Sequence, residues 1–145
     1  MNNLIKMLRQ HEGVRNTVYL DSVGIETIGV GRNLKEVGLS DDEIDYLLIN
    51  DINRCKEEAK RLSWYGDLDS VRKEAILNLL FNLGMPRFSG FKNALSAMEE
   101  HNYPLAADEF YDSKWRVQVG KRADDLCHMI RTGSYPDEFE QEPEP

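Results

Sequence analysis

Three side chains near the N-terminus have the types and spacing for acid–base bond cleavage. Glu12 is followed by Gly13, Asp21 stands nine residues on, and Thr27 six beyond that. Two carboxylates can divide the work of glycoside cleavage. One protonates the departing oxygen, and the other directs a water molecule or attacks the sugar itself. A hydroxyl on a nearby strand adds a further polar group. The plainer reading is that Glu12 ends a helix and Asp21 makes a turn. Spacing alone leaves both open.

Other chemistries find less support. Gly29-Val30-Gly31 lacks the third glycine of a dinucleotide loop, because Leu34 occupies that place. There is no Gly-x-Ser-x-Gly elbow, phosphate loop or His-Glu-x-x-His run. Cys55 and Cys127 are 72 residues apart, and His11, His101 and His128 are scattered, so no metal-ligand spacing occurs. The expectation is two buried, reduced thiols, no metal and no cofactor.

The elements that must position Glu12, Asp21 and Thr27 can be read from periodicity. Leu4, Ile5 and Leu8 share one face of a short opening helix over residues 3–11, with Asn2 or Asn3 as its cap. Residues 13–38 then hold five of the ten glycines among β-formers, giving two strands joined at Asp21-Ser22-Val23-Gly24. Ser40 with Glu43 three on is a capping box, opening a helix whose apolar positions run from Ile44 through Cys55 and Ala59 to Leu62. Asp69 caps a further apolar helix through Leu83, ended by Gly84 and Pro86. Helices also fit 91–100, 104–113 and 121–131, the last ended by Gly133. The fold class is therefore α+β, mainly α. A small N-terminal antiparallel β-lobe (12–39) leads through a long connecting helix (40–63) to a helical C-terminal lobe (64–135), on which the 3–11 helix packs. A cleft between lobes is a usual place for a ligand.

Composition narrows the partners. The 145 residues carry 26 acids against 18 bases, a net charge of −8, which argues against nucleic acid. No apolar run approaches the ~20 residues of a membrane helix, and the N-terminus reads as a charged helix rather than a secretion signal. Five of the acids fall in residues 136–145 with three prolines and no base. This segment is expected to be a disordered acidic tail. Nothing in the pattern suggests more than a monomer.

The Glu-x8-Asp-x5-Thr run, with Tyr19 two before the Asp and Thr27-Ile28-Gly29-Val30-Gly31 closing it, resembles the T-even phage lysozymes, muramidases of glycoside hydrolase family 24. The likeness continues through residues 67–78, Phe81-Asn82-Leu83-Gly84, Gly90-Phe91-Lys92-Asn93, Ser113-Lys114-Trp115, Lys121-Arg122-Ala123 and Arg131-Thr132-Gly133, in order over about residues 3–135. Relative to those enzymes the chain looks shortened between Gly31 and Ser40.

The resemblance implies a lysozyme-like two-lobe fold that hydrolyses the β-1,4 bond between N-acetylmuramic acid and N-acetylglucosamine of peptidoglycan. It casts Glu12 as general acid, Asp21 as general base or electrostatic stabiliser, and Thr27 as holder of the attacking water. The outcome is inversion, which needs carboxyls ~6.5–9.5 Å apart. Asn33, Phe81, Asn82 and Glu109 are then substrate-binding positions. Arg122 is the cation that contacts the catalytic Glu, and Asn78 is structural. The resemblance also implies an endolysin that accumulates in the host cytoplasm, reaches the wall through a holin pore and inserts in no membrane.

Departures from the family pattern are specific. Arg32 stands where relatives commonly carry His, and an Arg32–Asp51 ion pair is expected. His11 and Asp125 reverse the usual signs and suggest a swapped pair. Ala94 replaces a cleft Ser. Two rival readings accompany the muramidase: a lytic transglycosylase, and a non-catalytic wall-binding or virion component of the same fold. Retention of Asp21 and Thr27 argues against both.

Overall fold

A computed structural model describes residues 1–140. Its elements in chain order are α1 (Asn2–Glu12), β1 (Arg15–Leu20), β2 (Glu26–Gly29), β3 (Arg32–Asn33), α2 (Asp41–Ala59), α3 (Ser70–Phe88), α4 (Lys92–Glu99), α5 (Tyr103–Tyr111), α6 (Lys114–Val119) and α7 (Lys121–Thr132), with one-turn 3-10 helices at Tyr65–Asp67 and Asp137–Phe139. The mainly helical α+β class expected from the pattern is the class observed. The chain divides into two compact units, Met1–Leu48 and Ile49 onward.

The first unit is built on a three-stranded antiparallel sheet in the order β1-β2-β3. Tyr19 faces Thr27 and Leu20 faces Glu26 across the first pair, while Thr27 faces Asn33 and Ile28 faces Arg32 across the second. Two strands were expected; β3 is too short for its alternation to stand out. α1 starts one residue earlier than its pattern, with Met1 rather than Asn2 or Asn3 at the cap and no side-chain cap bond. Ser40 and Glu43 form the expected capping box. The Ser40 N–H donates to Glu43 Oε1 (2.9 Å) and the Glu43 N–H to Ser40 Oγ (3.2 Å).

α2 carries the chain into the second unit and ends at Ala59 rather than at residue 63. There the bonding tightens, with the N–H of Arg61 donating to Glu58 O and that of Leu62 to Ala59 O. These three-residue spacings release the helix into the loop that buries Trp64 and Leu68. Asp69 caps α3, accepting the Arg72 N–H at 3.1 Å. Within α3 the helix breaks where expected: Gly84 has φ 76° and ψ 158°, and Pro86 follows inside the next turn. α5 matches its pattern within two residues at each end, with Asn102 as cap. α7 ends on left-handed Gly133 (φ 72°). α6 has no counterpart in the sequence reading; six residues between Ser113 and Gly120 give too few turns for a period.

The core of the second unit lies among α3, α5 and α7. Ile76, Leu79 and Leu80 of α3, Phe110 of α5, and Leu126 and Ile130 of α7 are essentially inaccessible. Alanines 106, 107 and 123 are likewise fully buried and let the helices approach closely. The rings of Phe88 and Phe91 pack on Phe110, with Trp115 edge-on to Phe91. Cys55 and Cys127 are buried free thiols, as expected. Of the segment expected to be a disordered tail, Asp137–Phe139 form a 3-10 turn; residues 141–145 lie outside the described residues.

Candidate active site

The first unit brings Glu12, Asp21 and Thr27 onto one helix end and one hairpin. Asp21 opens the β1–β2 turn. Its carbonyl accepts the Gly24 N–H (3.0 Å), and its own N–H donates to Ile25 O (2.9 Å). Its side chain also works for the turn, because Oδ1 accepts the N–H groups of Val23 and Ile25, both at 2.9 Å. The two readings of Asp21 therefore combine. One oxygen makes an Asx turn that fixes the carboxylate, and among the described residues Oδ2 has no hydrogen-bond partner.

Thr27 sits on the central strand between Tyr19 and Asn33 and is 3% exposed. Its hydroxyl donates to Ile25 O at 2.8 Å. The proton being so engaged, the oxygen is left with lone pairs, so a water beside it must donate to Thr27. Such a water presents its own lone pair elsewhere.

Glu12, the last residue of α1, lies against Gly31 of the β2–β3 connection. A Cβ at residue 31 would stand 2.6 Å from Glu12 Oε2, and φ there is +65°. Only glycine meets both conditions: no side chain toward the carboxylate, and a left-handed backbone at low cost. In the sequence Gly31 stands only as part of a motif, with no role of its own. Its signal was the second glycine of the Thr-Ile-Gly-Val-Gly run.

The other candidate residues divide. Asn33 is the cross-strand partner of Thr27, but its Oδ1 accepts the Glu36 N–H (2.9 Å), leaving its amide protons as its uncommitted polar group. Arg32 does not take the expected partner. It pairs with Glu43 of the capping box and donates to Gly38 O (3.3 Å), while Asp51 holds Arg54 at 2.7 Å. Glu43 is near in sequence and already aimed by Ser40; an i,i+3 arginine is close at hand for Asp51. Hydrogen bonds from Arg32 and Ser40 hold the Glu43 carboxyl well below its ordinary value, at about 2.

In the second unit, Phe81 projects from α3 half exposed, and Glu109 of α5 is partly buried. Asn82 has a structural task that its motif did not disclose: its Oδ1 accepts the indole N–H of the buried Trp115 at 2.9 Å. Arg122 at the start of α7 is clamped by Asn78. Its Nε and Nη2 donate to the amide oxygen at 2.9 and 2.6 Å, and Nη2 to the Asn78 carbonyl at 3.3 Å. Asn78 is therefore structural in a particular sense, since it orients Arg122. Asp125 bonds Lys121 of its own helix (3.3 Å), and Ala94 is packed into the core. No group of three or more acidic, His or Cys side chains that could hold a metal occurs among the described residues.

Residues 9–129 match the phage lysozyme family, a span that includes Glu12, Asp21, Thr27 and Arg122. The chain is 32% identical to an endolysin of Salmonella phage P22 over 138 positions, covering 90% of this chain and 91% of that one. It is 28% identical to a probable T4-type lysozyme 2 of Dictyostelium discoideum, covering 92% and 96%. It is also 26% identical to the pre-baseplate central spike protein Gp5 of Enterobacteria phage T4, of which the match covers 28%. With a family match across most of its length and a relative of 32% identity covered over nine tenths, the chain belongs to the phage lysozyme family of glycoside hydrolases.

Proposed function

We propose that this protein is an endolysin-type muramidase that hydrolyses the β-1,4 bond between N-acetylmuramic acid and N-acetylglucosamine in peptidoglycan. The observation that carries the reading is the hairpin itself. One carboxylate (Asp21) is fixed by its own turn with an oxygen to spare, a buried hydroxyl (Thr27) has its proton committed, and a second carboxylate (Glu12) lies against a bare glycine. Glu12 protonates the glycosidic oxygen as the bond breaks. Asp21 accepts a proton from the attacking water, which Thr27 holds through its lone pairs, and the anomeric centre inverts. Asn33, Phe81, Asn82 and Glu109 contact the glycan, Asn82 through its amide protons, and Arg122 supplies the supporting cation. Kinship with an endolysin supports a role in host lysis, with the enzyme made in the host cytoplasm and reaching the wall after a holin permeabilises the membrane.

The test is mass spectrometry of fragments released from purified peptidoglycan by wild type and Glu12→Gln. Hydrated reducing-end muropeptides from wild type alone support the muramidase with Glu12 as acid. Anhydro ends would make it a transglycosylase, and no fragments from either would leave a wall-binding protein. Proton NMR of the first-formed anomer reads the stereochemistry; net retention would cast Asp21 as a nucleophile.

A further inference from the structure

The acidic C-terminal segment has no part in the site, yet it makes specific contacts. After Gly133 turns the chain out of α7, Tyr135 is partly buried and its hydroxyl donates to Glu74 of α3. Residues 134–136 then lead to the 3-10 turn at Asp137–Phe139, which brings the chain back to the beginning of α7. Glu138 pairs with Lys121, the first residue of α7, and the Lys121 ammonium lies 5.4 Å from the centre of the Phe139 ring. Lys121 also bonds Asp125. Its neighbour is Arg122, the side chain held by Asn78.

We propose that residues 135–140 form an acidic strap that occupies the basic corner Lys121–Arg122 and competes there with the carboxylates of the wall polymer. The proposal rests on the peptidoglycan reading above. It makes the strap an intramolecular brake on substrate binding. Three features suit it to that task. Tyr135 on Glu74 anchors the strap at its root, which keeps the Glu138 carboxylate at high local concentration beside Lys121. Both partners are more than half exposed, so the pair is weak enough for a polymer bearing many carboxylates to displace. The Lys121 ammonium is charged at neutral pH whichever carboxylate it holds, so the exchange of partners needs no proton transfer.

The test compares Glu138→Gln with Glu140→Gln in the full chain. Each removes one negative charge, and among the described residues the Glu140 carboxylate makes no ion pair. Both are also placed on a Glu12→Gln background for binding. Two readouts are taken: acylation of Lys121 by an amine-reactive ester, followed by mass spectrometry, and co-sedimentation with purified peptidoglycan at about 20 mM and about 0.5 M salt. Glu138→Gln is expected to speed Lys121 labelling and strengthen sedimentation about threefold at low salt, with the gain gone at high salt. Glu140→Gln is expected to do neither. Equal effects of the two variants would overturn the strap in favour of bulk charge, and faster labelling without stronger sedimentation would overturn the competition. If no Glu12-bearing form cleaves peptidoglycan while both differences persist, the muramidase reading falls and the strap stands.

Discussion

The Gly31 backbone occupies space that any side chain would take from the Glu12 carboxylate. On the proposed mechanism Gly31→Ala is therefore expected to lower kcat on purified peptidoglycan by about tenfold or more, since a displaced Glu12 would no longer meet the leaving oxygen. Its left-handed backbone adds a cost of about 1–2 kcal/mol, measured separately by denaturant unfolding. Asn82→Ala is expected to lower stability, whatever it does to glycan binding. It leaves the indole N–H of buried Trp115 without an acceptor, at a cost of about 1–3 kcal/mol in the same unfolding measurement. These two residues mark how far the site was legible. Glu12, Asp21 and Thr27 could be singled out because two carboxylates and a hydroxyl in that order suit the proposed chemistry and carry the family resemblance. Gly31 and Asn78 could not, because what they do depends on which atoms come to lie beside them. Asn82 was given a glycan, and it also serves a tryptophan 33 residues away.

The capping box at the start of α2 does two jobs at the scale of the element. It terminates the helix, and it presents Glu43 to Arg32. The folded-state pKa of Glu43 is about 2, below its ordinary 4.5. A depressed carboxyl stabilises the fold fully above its unfolded value and loses that contribution as pH falls through the folded one. Glu43→Gln keeps the shape and removes the charge, so wild type is expected to melt higher than the variant at pH 6. The gap should close between about pH 4.5 and 2. A gap of undiminished size at pH 2.5 would exclude the carboxylate as its source. The caps Ser40 and Asp69, the break at Gly84 and the stop at Gly133 were all legible, because each rests on a local backbone rule. β3 and α6 were not, since two and six residues carry too little periodicity to separate from loop. The Arg32 partner was misassigned for a different reason: analogy pointed to Asp51, while Glu43 stood nearer along the chain and already aimed.

At the scale of the whole molecule, the feature with the widest consequence is charge. Outside the last ten residues the acids outnumber the bases only 21 to 18, so a large share of the net −8 is carried by the C-terminal segment. An anionic enzyme gains no electrostatic steering toward an anionic polymer. Its rate on isolated walls is therefore expected to hold or rise as salt increases from about 20 to 150 mM, where a steered enzyme would slow. A steep fall over that range, in a turbidity assay at constant pH, would overturn this. Sequence showed the acidity of the segment, but the turn at Asp137–Phe139 and its return to Lys121 depend on tertiary contacts that composition does not report.

The two cysteines have a practical consequence. Both are buried, and burial pushes Cys127 up to about 12 and raises Cys55 as well. At pH 8 a thiol with that pKa is thiolate in about one molecule in ten thousand, and the thiolate is the reactive form. A single cysteine introduced on an exposed helix face would thus react with maleimide far ahead of the native pair. Fluorophores, spin labels or surface tethers can then be placed at chosen positions without first stripping the protein of its own sulfur.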